Sequence, residues 1–128
     1  MYSELAKLHE SCFPDKPWSA SDFDDLKKSG CDIMASQNGF IVWRAVADEA
    51  EIITIGVHPD SRHNGIASTM LLLVENDVKK RGVKKIFLEV SEKNIPARKL
   101  YEANGYKQIG TRPKYYDGID AILMEKSL

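Results

Sequence analysis

Cysteine is scarce in this chain. Cys12 and Cys31 are the only two in 128 residues, which excludes a disulfide-rich secreted scaffold. The opening Met1-Tyr2-Ser3-Glu4 carries no apolar signal segment, so a reducing, cytoplasmic setting is expected. No apolar run approaches the roughly 20 residues that span a bilayer, and no membrane partner is expected. Neither sign of charge is in excess: 18 Lys and Arg against 19 Asp and Glu leave a net charge of −1. A general basic surface for nucleic acid is therefore excluded, although a local basic groove is not. Three histidines, with His58 and His63 close together and no Cys/His spacing of the zinc type, argue for no metal site. Repeats, low-complexity tracts and linkers are also missing. What remains, at 43% hydrophobic residues, is enough for one core and too little for two ordinary domains, so residues 1–128 are read as a single domain.

Periodicity divides this domain into alternating elements. Leu5, Leu8 and Cys12 recur at helical spacing, and a helix should stop before Phe13-Pro14. A short second helix follows, capped by Ser19 or Ser21, with Phe23 and Leu26 on its apolar side and Gly30 at its end. Strands are expected over 31–35 and 40–47, joined through Asn38-Gly39, a pair that accepts the positive φ of a tight hairpin. Asp48-Glu49 marks the next reversal. After a strand ending near Val57, the residues Ile66, Met70, Leu73, Val74 and Val78 form one helical stripe that stops at Gly82. A strand over 85–90 should then lie parallel to its predecessor, because a helix separates them. Asn94, Pro96 and Gly105 bound a further helix, and strands over 106–112 and 121–124 complete the sheet.

The most informative stretch is the turn between the β-branched run 52–57 and the apolar helix after it, His58-Pro59-Asp60-Ser61-Arg62-His63-Asn64-Gly65-Ile66-Ala67. N–H groups at a helix start have no intrahelical acceptor and sit at the positive end of its dipole, so such a turn suits a phosphate or pyrophosphate. Gly65 and Ala67 keep the approach open, and Arg62 and His63 can supply further donors.

The turn Arg62-His63-Asn64-Gly65-Ile66-Ala67 resembles the Arg/Gln-x-x-Gly-x-Gly/Ala motif by which the GNAT acetyltransferases bind acyl-CoA. Asn64 stands where Gly or Gln is common and Ala67 where Gly is common; Asn tolerates left-handed backbone and Ala is small. The resemblance continues through 86–90, 94–106 and 112–116, and looks like the RimI type, the ribosomal-protein-alanine N-acetyltransferases, with Pro17-Trp18-Ser19 in keeping. It implies an α/β (α+β) fold: a mixed central sheet whose parallel central strands splay at the cofactor site, with helices on both faces. It also implies transfer of acetyl from acetyl-CoA to a primary amine, foremost the N-terminal α-amine of a ribosomal protein.

Individual residues carry that reading to different degrees. Glu89 ends an otherwise apolar strand, alternating with Ile86, Leu88 and Val90. From the pattern alone it is either a strand-end carboxylate reaching solvent or, if buried, a base of raised affinity for protons. The resemblance assigns it the general-base role. Tyr101 reads as a core tyrosine with its hydroxyl at the surface, and the resemblance makes it the acid that protonates the departing CoA thiolate. Asn94 is a helix cap and, by resemblance, a contact for CoA. Ile55 and Val57 at the strand end, together with 62–67, are assigned to the cofactor, the Val57 N–H as a donor to the developing oxyanion. Tyr115 and Tyr116, in an expected loop before Asp117-Gly118, either cover core or shape the acceptor groove. Trp18 with Phe13 either lines the opposite wall or staples the first two helices. Asp22, Asp24 and Asp25 suit solvated surface better than a site for a basic tail. Two other functions stay open: a GNAT acting on a small amine or lysine, and a CoA-binding module without turnover.

Overall fold

The computed structural model describes residues 2–116 and 118–128, except for the side chains of 114–116. In chain order it contains α1 (Ser3–Cys12), α2 (Ala20–Lys28), β1 (Asp32–Ala35), β2 (Gly39–Val46), β3 (Glu49–Val57), a 3₁₀ turn (Pro59–Ser61), α3 (Ile66–Lys80), β4 (Lys85–Ser91), α4 (Ile95–Ala103), β5 (Lys107–Tyr116) and β6 (Ile119–Ser127). The strands form a mixed six-stranded sheet in the order β1-β2-β3-β4-β6-β5. As the helical crossover requires, β3 runs parallel to β4, with Glu49, Ala50 and Glu51 opposite Lys85, Ile86 and Phe87.

The chain gathers into two compact units, Met1–Arg44 with Ile53–Leu73, and Ala45–Ile52 with Val74–Leu128. In the first, α1 and α2 place Leu5, Leu8 and Phe23 against Cys31, Phe40 and Val42. Ser19 caps α2 in a reciprocal box with Asp22, the Ser19 hydroxyl accepting from the Asp22 N–H and the Asp22 carboxylate from the Ser19 N–H. Asp24 pairs with Lys28 one turn on, at 2.8 Å. His9 is buried, its imidazole stacked on Trp18 with centroids 4.6 Å apart.

Between β1 and β2 the hairpin departs from expectation. The Ser36 N–H donates to the Gly39 carbonyl at 2.8 Å across Gln37 and Asn38, so Gly39 stands at the strand end of the turn, and neither Asn38 nor Gly39 has a positive φ. Gly39 is needed for closeness instead: a Cβ there would lie 3.1 to 3.2 Å from Met70 Cε, the Gly56 carbonyl and Ile66 Cγ2. Gly56 is tighter still, since its Cβ would stand 2.7 Å from the Phe40 ring. The next reversal puts its positive φ on Ala47 (56°).

In the second unit, Val74, Val78, Ile86, Leu88, Val90, Ile122 and Met124 form the buried layer. Tyr106 donates to Glu75 Oε2 at 2.9 Å and Lys126 to Glu75 Oε1 at 2.8 Å, so the buried carboxylate of α3 has both oxygens engaged. Burial and that carboxylate push the Tyr106 phenol far above its ordinary range. Along α3 the buried stripe runs through Met70, Leu71, Val74 and Val78, while Leu73 is half exposed, a shift of the apolar arc that the run Leu71-Leu72-Leu73 hides. The last two strands are longer than expected and run antiparallel, with Tyr116 paired with Ile119. Tyr115 and Tyr116 therefore belong to the end of β5 rather than to a loop. Pro113 sits where the register slips between Arg112 and Tyr116, a bulge on an edge strand that tolerates its missing N–H.

Candidate active site

The first unit holds the phosphate-type turn. β3 ends at Val57, and the His58 N–H donates to the Asn38 carbonyl at 2.7 Å. His58 Nδ1 then accepts from the Asp60 N–H at 3.1 Å, capping the 3₁₀ turn. His63 (φ 67°) and Gly65 (φ 77°) are both left-handed, and these two reversals turn the chain into α3. The Gly65 carbonyl is the first acceptor of the helix, taking the Thr69 N–H at 3.0 Å and its hydroxyl at 2.9 Å. Residues 62–65 are exposed, with Ile66 and Ala67 partly so. A Cβ on Gly65 would meet nothing within 4 Å. An exposed first turn on a helix of 15 residues, with open space at its glycine, fits a pyrophosphate.

Arg62 does something the sequence did not foretell. Its Nε–H donates to the Val57 carbonyl at 3.0 Å, and its positive charge acts on the Cys12 thiol, half-buried beside Gly56. Burial pushes that thiol up, and Arg62 partly offsets the rise. Arg62 thus ties the end of β3 to the turn. Ile55 and Val57 are partly buried on the same strand end. Trp18 is placed by the aromatic cluster: its ring stacks on His9 and meets Phe23 edge-on at 5.4 Å, and its backbone N–H donates to His9 Nδ1 at 3.0 Å. Trp18 and Phe13 pack against the core cluster of the first two helices.

The second unit holds Glu89, Tyr101 and Asn94. Glu89 lies on the face of β4 opposite to Ile86, Leu88 and Val90, and it is not buried. Its side chain is 22% exposed, and its Oε1 accepts from an Arg112 terminal nitrogen at 2.8 Å. Of the two placements the pattern left open, the side chain takes the one that reaches solvent in part. Arg112 comes from β5, and no sequence spacing announces it, because the pairing depends on strand order. Glu89 borders a groove of about 190 Å³ with Glu51, Phe87, Ile109 and Leu123, in which apolar walls flank two carboxylates.

Tyr101 is buried on α4, its ring 5.9 Å from Tyr106 at 64°. Tyr106 and Lys126 both bond Glu75, and Lys126 lies opposite Ile86 in the sheet. Tyr101 thus packs with the cluster on the Ile86 face, and Glu89 lies on the other. Asn94 caps α4, its Oδ1 accepting from the Ala97 N–H at 3.3 Å. The side chains of Tyr115 and Tyr116 lie outside the described residues. Among the described residues, no group of three or more His, Cys, Asp or Glu is gathered to hold a metal ion, and no helix is long and apolar enough to cross a membrane.

A strand, a helix with an exposed first turn and a second strand parallel to the first follow one another along the chain, and likeness to known proteins makes the chain an N-acetyltransferase. The chain belongs to the acetyltransferase (GNAT) family, whose model matches residues 1–106. It is similar to the [ribosomal protein bS18]-alanine N-acetyltransferase of Escherichia coli (strain K12), at 34% identity over 117 residues, covering 84% of this chain and 79% of the relative. The crystal structure of the ribosomal-protein-S18-alanine N-acetyltransferase from Escherichia coli matches at a TM-score of 0.86 and 28% identity, over 97% of this chain and 85% of that one. A GNAT family acetyltransferase from Elizabethkingia anophelis with acetyl-CoA bound shares the fold, with a TM-score of 0.78 at 18% identity, over 95% and 89% of the two chains.

Proposed function

We propose that residues 1–128 act as one cytoplasmic acetyltransferase domain that moves the acetyl group of acetyl-CoA to the free α-amine of a protein N-terminus, with a ribosomal protein as the substrate. The observation that carries this reading is the Glu89 carboxylate, held at the edge of a half-apolar groove on β4. The relatives named as ribosomal-protein-alanine N-acetyltransferases support the choice of acceptor.

Acetyl-CoA would supply the thioester, and the residues that suit its pyrophosphate are the backbone N–H groups of 65–67 with Arg62, His63 and Asn64 beside them. Asn94 is assigned a polar contact to the same cosubstrate, and Ile55 lies along its path. Glu89 removes a proton from the acceptor ammonium, directly or through water. An α-amine, with a pKa of ~7.7 to 8.0, needs less help than a lysine at ~10.4, so a partly exposed carboxylate is sufficient. The Val57 N–H donates to the negative charge that grows on the carbonyl oxygen. Tyr101 gives its phenolic proton to the departing thiolate. Tyr115 and Tyr116, at the β5–β6 hairpin, are assigned to the acceptor groove. Trp18 stands further from that role, because its ring is engaged by His9 and Phe23.

The test is Glu89→Gln, with turnover of an Ala-initiated peptide measured across pH. Turnover should fall on the order of 10²-fold or more near neutrality, and the deficit should shrink at high pH, where the amine is already neutral. An unchanged rate removes Glu89 from the mechanism.

A further inference from the structure

Glu89 and Arg112 are paired although their strands are not neighbours. β6 runs between β4 and β5, and its register gives the path: Leu123 lies opposite both Glu89 and Gly110, and Ala121 opposite both Ser91 and Arg112. Arg112 therefore starts two strands away, roughly 10 Å sideways, and one pleat repeat further along. Small residues border the route. Gly110 has no side chain, and Ala121 has only a methyl. The long arginine stem spans the gap and brings a terminal nitrogen to 2.8 Å from Glu89 Oε1.

Stability does not account for this reach. The two side chains are 51% and 22% exposed, and ion pairs of that exposure are worth little to a fold. The geometric consequence is larger. The pair limits the orientations open to the Glu89 carboxylate. It also brings a cation to a groove where Glu51 and Glu89 place two carboxylates among apolar walls.

We propose that Arg112 is a positioning residue for the acetyl transfer: by holding Oε1 of Glu89 from across β6, it fixes the carboxylate with Oε2 toward the acceptor amine. This rests on the reading of Glu89 as the base. Arg112 need not touch either substrate, and its whole effect on rate passes through Glu89. Lysine reaches less far and lacks the planar fork, so it should hold the carboxylate only in part.

A double-mutant cycle tests this, with kcat and both KM values measured for an Ala-initiated peptide and acetyl-CoA, and folding checked by thermal melting. Arg112→Ala should lower kcat about 10- to 100-fold, the cost of misplacing a reacting group by about an ångström, with the acetyl-CoA KM unchanged. Arg112→Lys should recover part of the loss. In the Glu89→Gln background, Arg112→Ala should have no further effect, because the group it positions is gone. The inference is overturned if Arg112→Ala keeps the wild-type kcat, if it raises only the peptide KM, or if its loss multiplies unchanged onto Glu89→Gln. A Glu89→Gln enzyme as fast as wild type overturns the reading of Glu89 itself, and the inference with it.

Discussion

His9 and Trp18 are joined twice: the indole stacks on the imidazole at 4.6 Å, and the Trp18 backbone N–H donates to His9 Nδ1 at 3.0 Å. The second contact needs an unprotonated Nδ1. Burial holds the His9 pKa below its ordinary 6.5, with Asp22 pulling weakly the other way. The unfolded chain therefore binds a proton more readily than the folded one, and stability must rise with pH through the window below 6.5. The His9 contribution is complete above that value and is lost as pH falls through the folded pKa. Thermal melting of wild type and His9→Gln, whose amide can accept from Trp18 without titrating, should show a wild-type advantage at pH 7.5 that narrows by pH 5. A constant difference would show that His9 does not titrate with folding.

Gly65 and Gly82 stand at the two ends of α3 with similar backbone, φ 77° and 92°, and neither would have a Cβ neighbour within 4 Å. Alanine at either position should cost on the order of 1 kcal/mol in backbone strain. Only Gly65→Ala should also weaken acetyl-CoA binding, read by calorimetric titration, because only Gly65 belongs to the proposed pyrophosphate turn. Equal affinities in the two folded variants would move the cofactor away from this turn.

Tyr101 separates a catalytic hydroxyl from a packing ring. Tyr101→Phe keeps the ring and its contact with Tyr106, so the melting temperature should change little, while kcat should fall on the order of 10²-fold or more with acetyl-CoA affinity preserved. A variant with the wild-type kcat leaves Tyr101 only its place in the core.

These predictions draw unequally on what the sequence shows. Local chemistry was legible: Ser19, Asn94, Pro96, Gly82 and Gly105 sit at helix ends because caps and left-handed stops have few alternatives. The parallel β3–β4 pair followed from the helix between them. Long-range geometry was not legible. Asn38-Gly39 suggested a two-residue turn, but Gly39 is required by the approach of Met70 and Ile66. The end of β5 was hidden by Pro113, a residue that argues against a strand until the bulge is seen. At the site, Glu89 was visible by its alternation with apolar neighbours. Its partner Arg112 was not, since only the insertion of β6 between β4 and β5 brings them together. Arg62 was visible as a cation near a helix start, but its bond to the Val57 carbonyl depends on the path of the 3₁₀ turn.

The choice of acceptor is the central claim, and competition between amines tests it most directly. Initial rates of CoA release should be compared for an Ala-initiated peptide, the same peptide with its α-amine blocked and a lysine left free, and a polyamine. The account predicts that the free Ala-initiated peptide is fastest and that blocking its α-amine removes most of the activity. Faster acetylation of the blocked lysine peptide or of the polyamine would contradict it and make this chain a lysine or small-amine acetyltransferase.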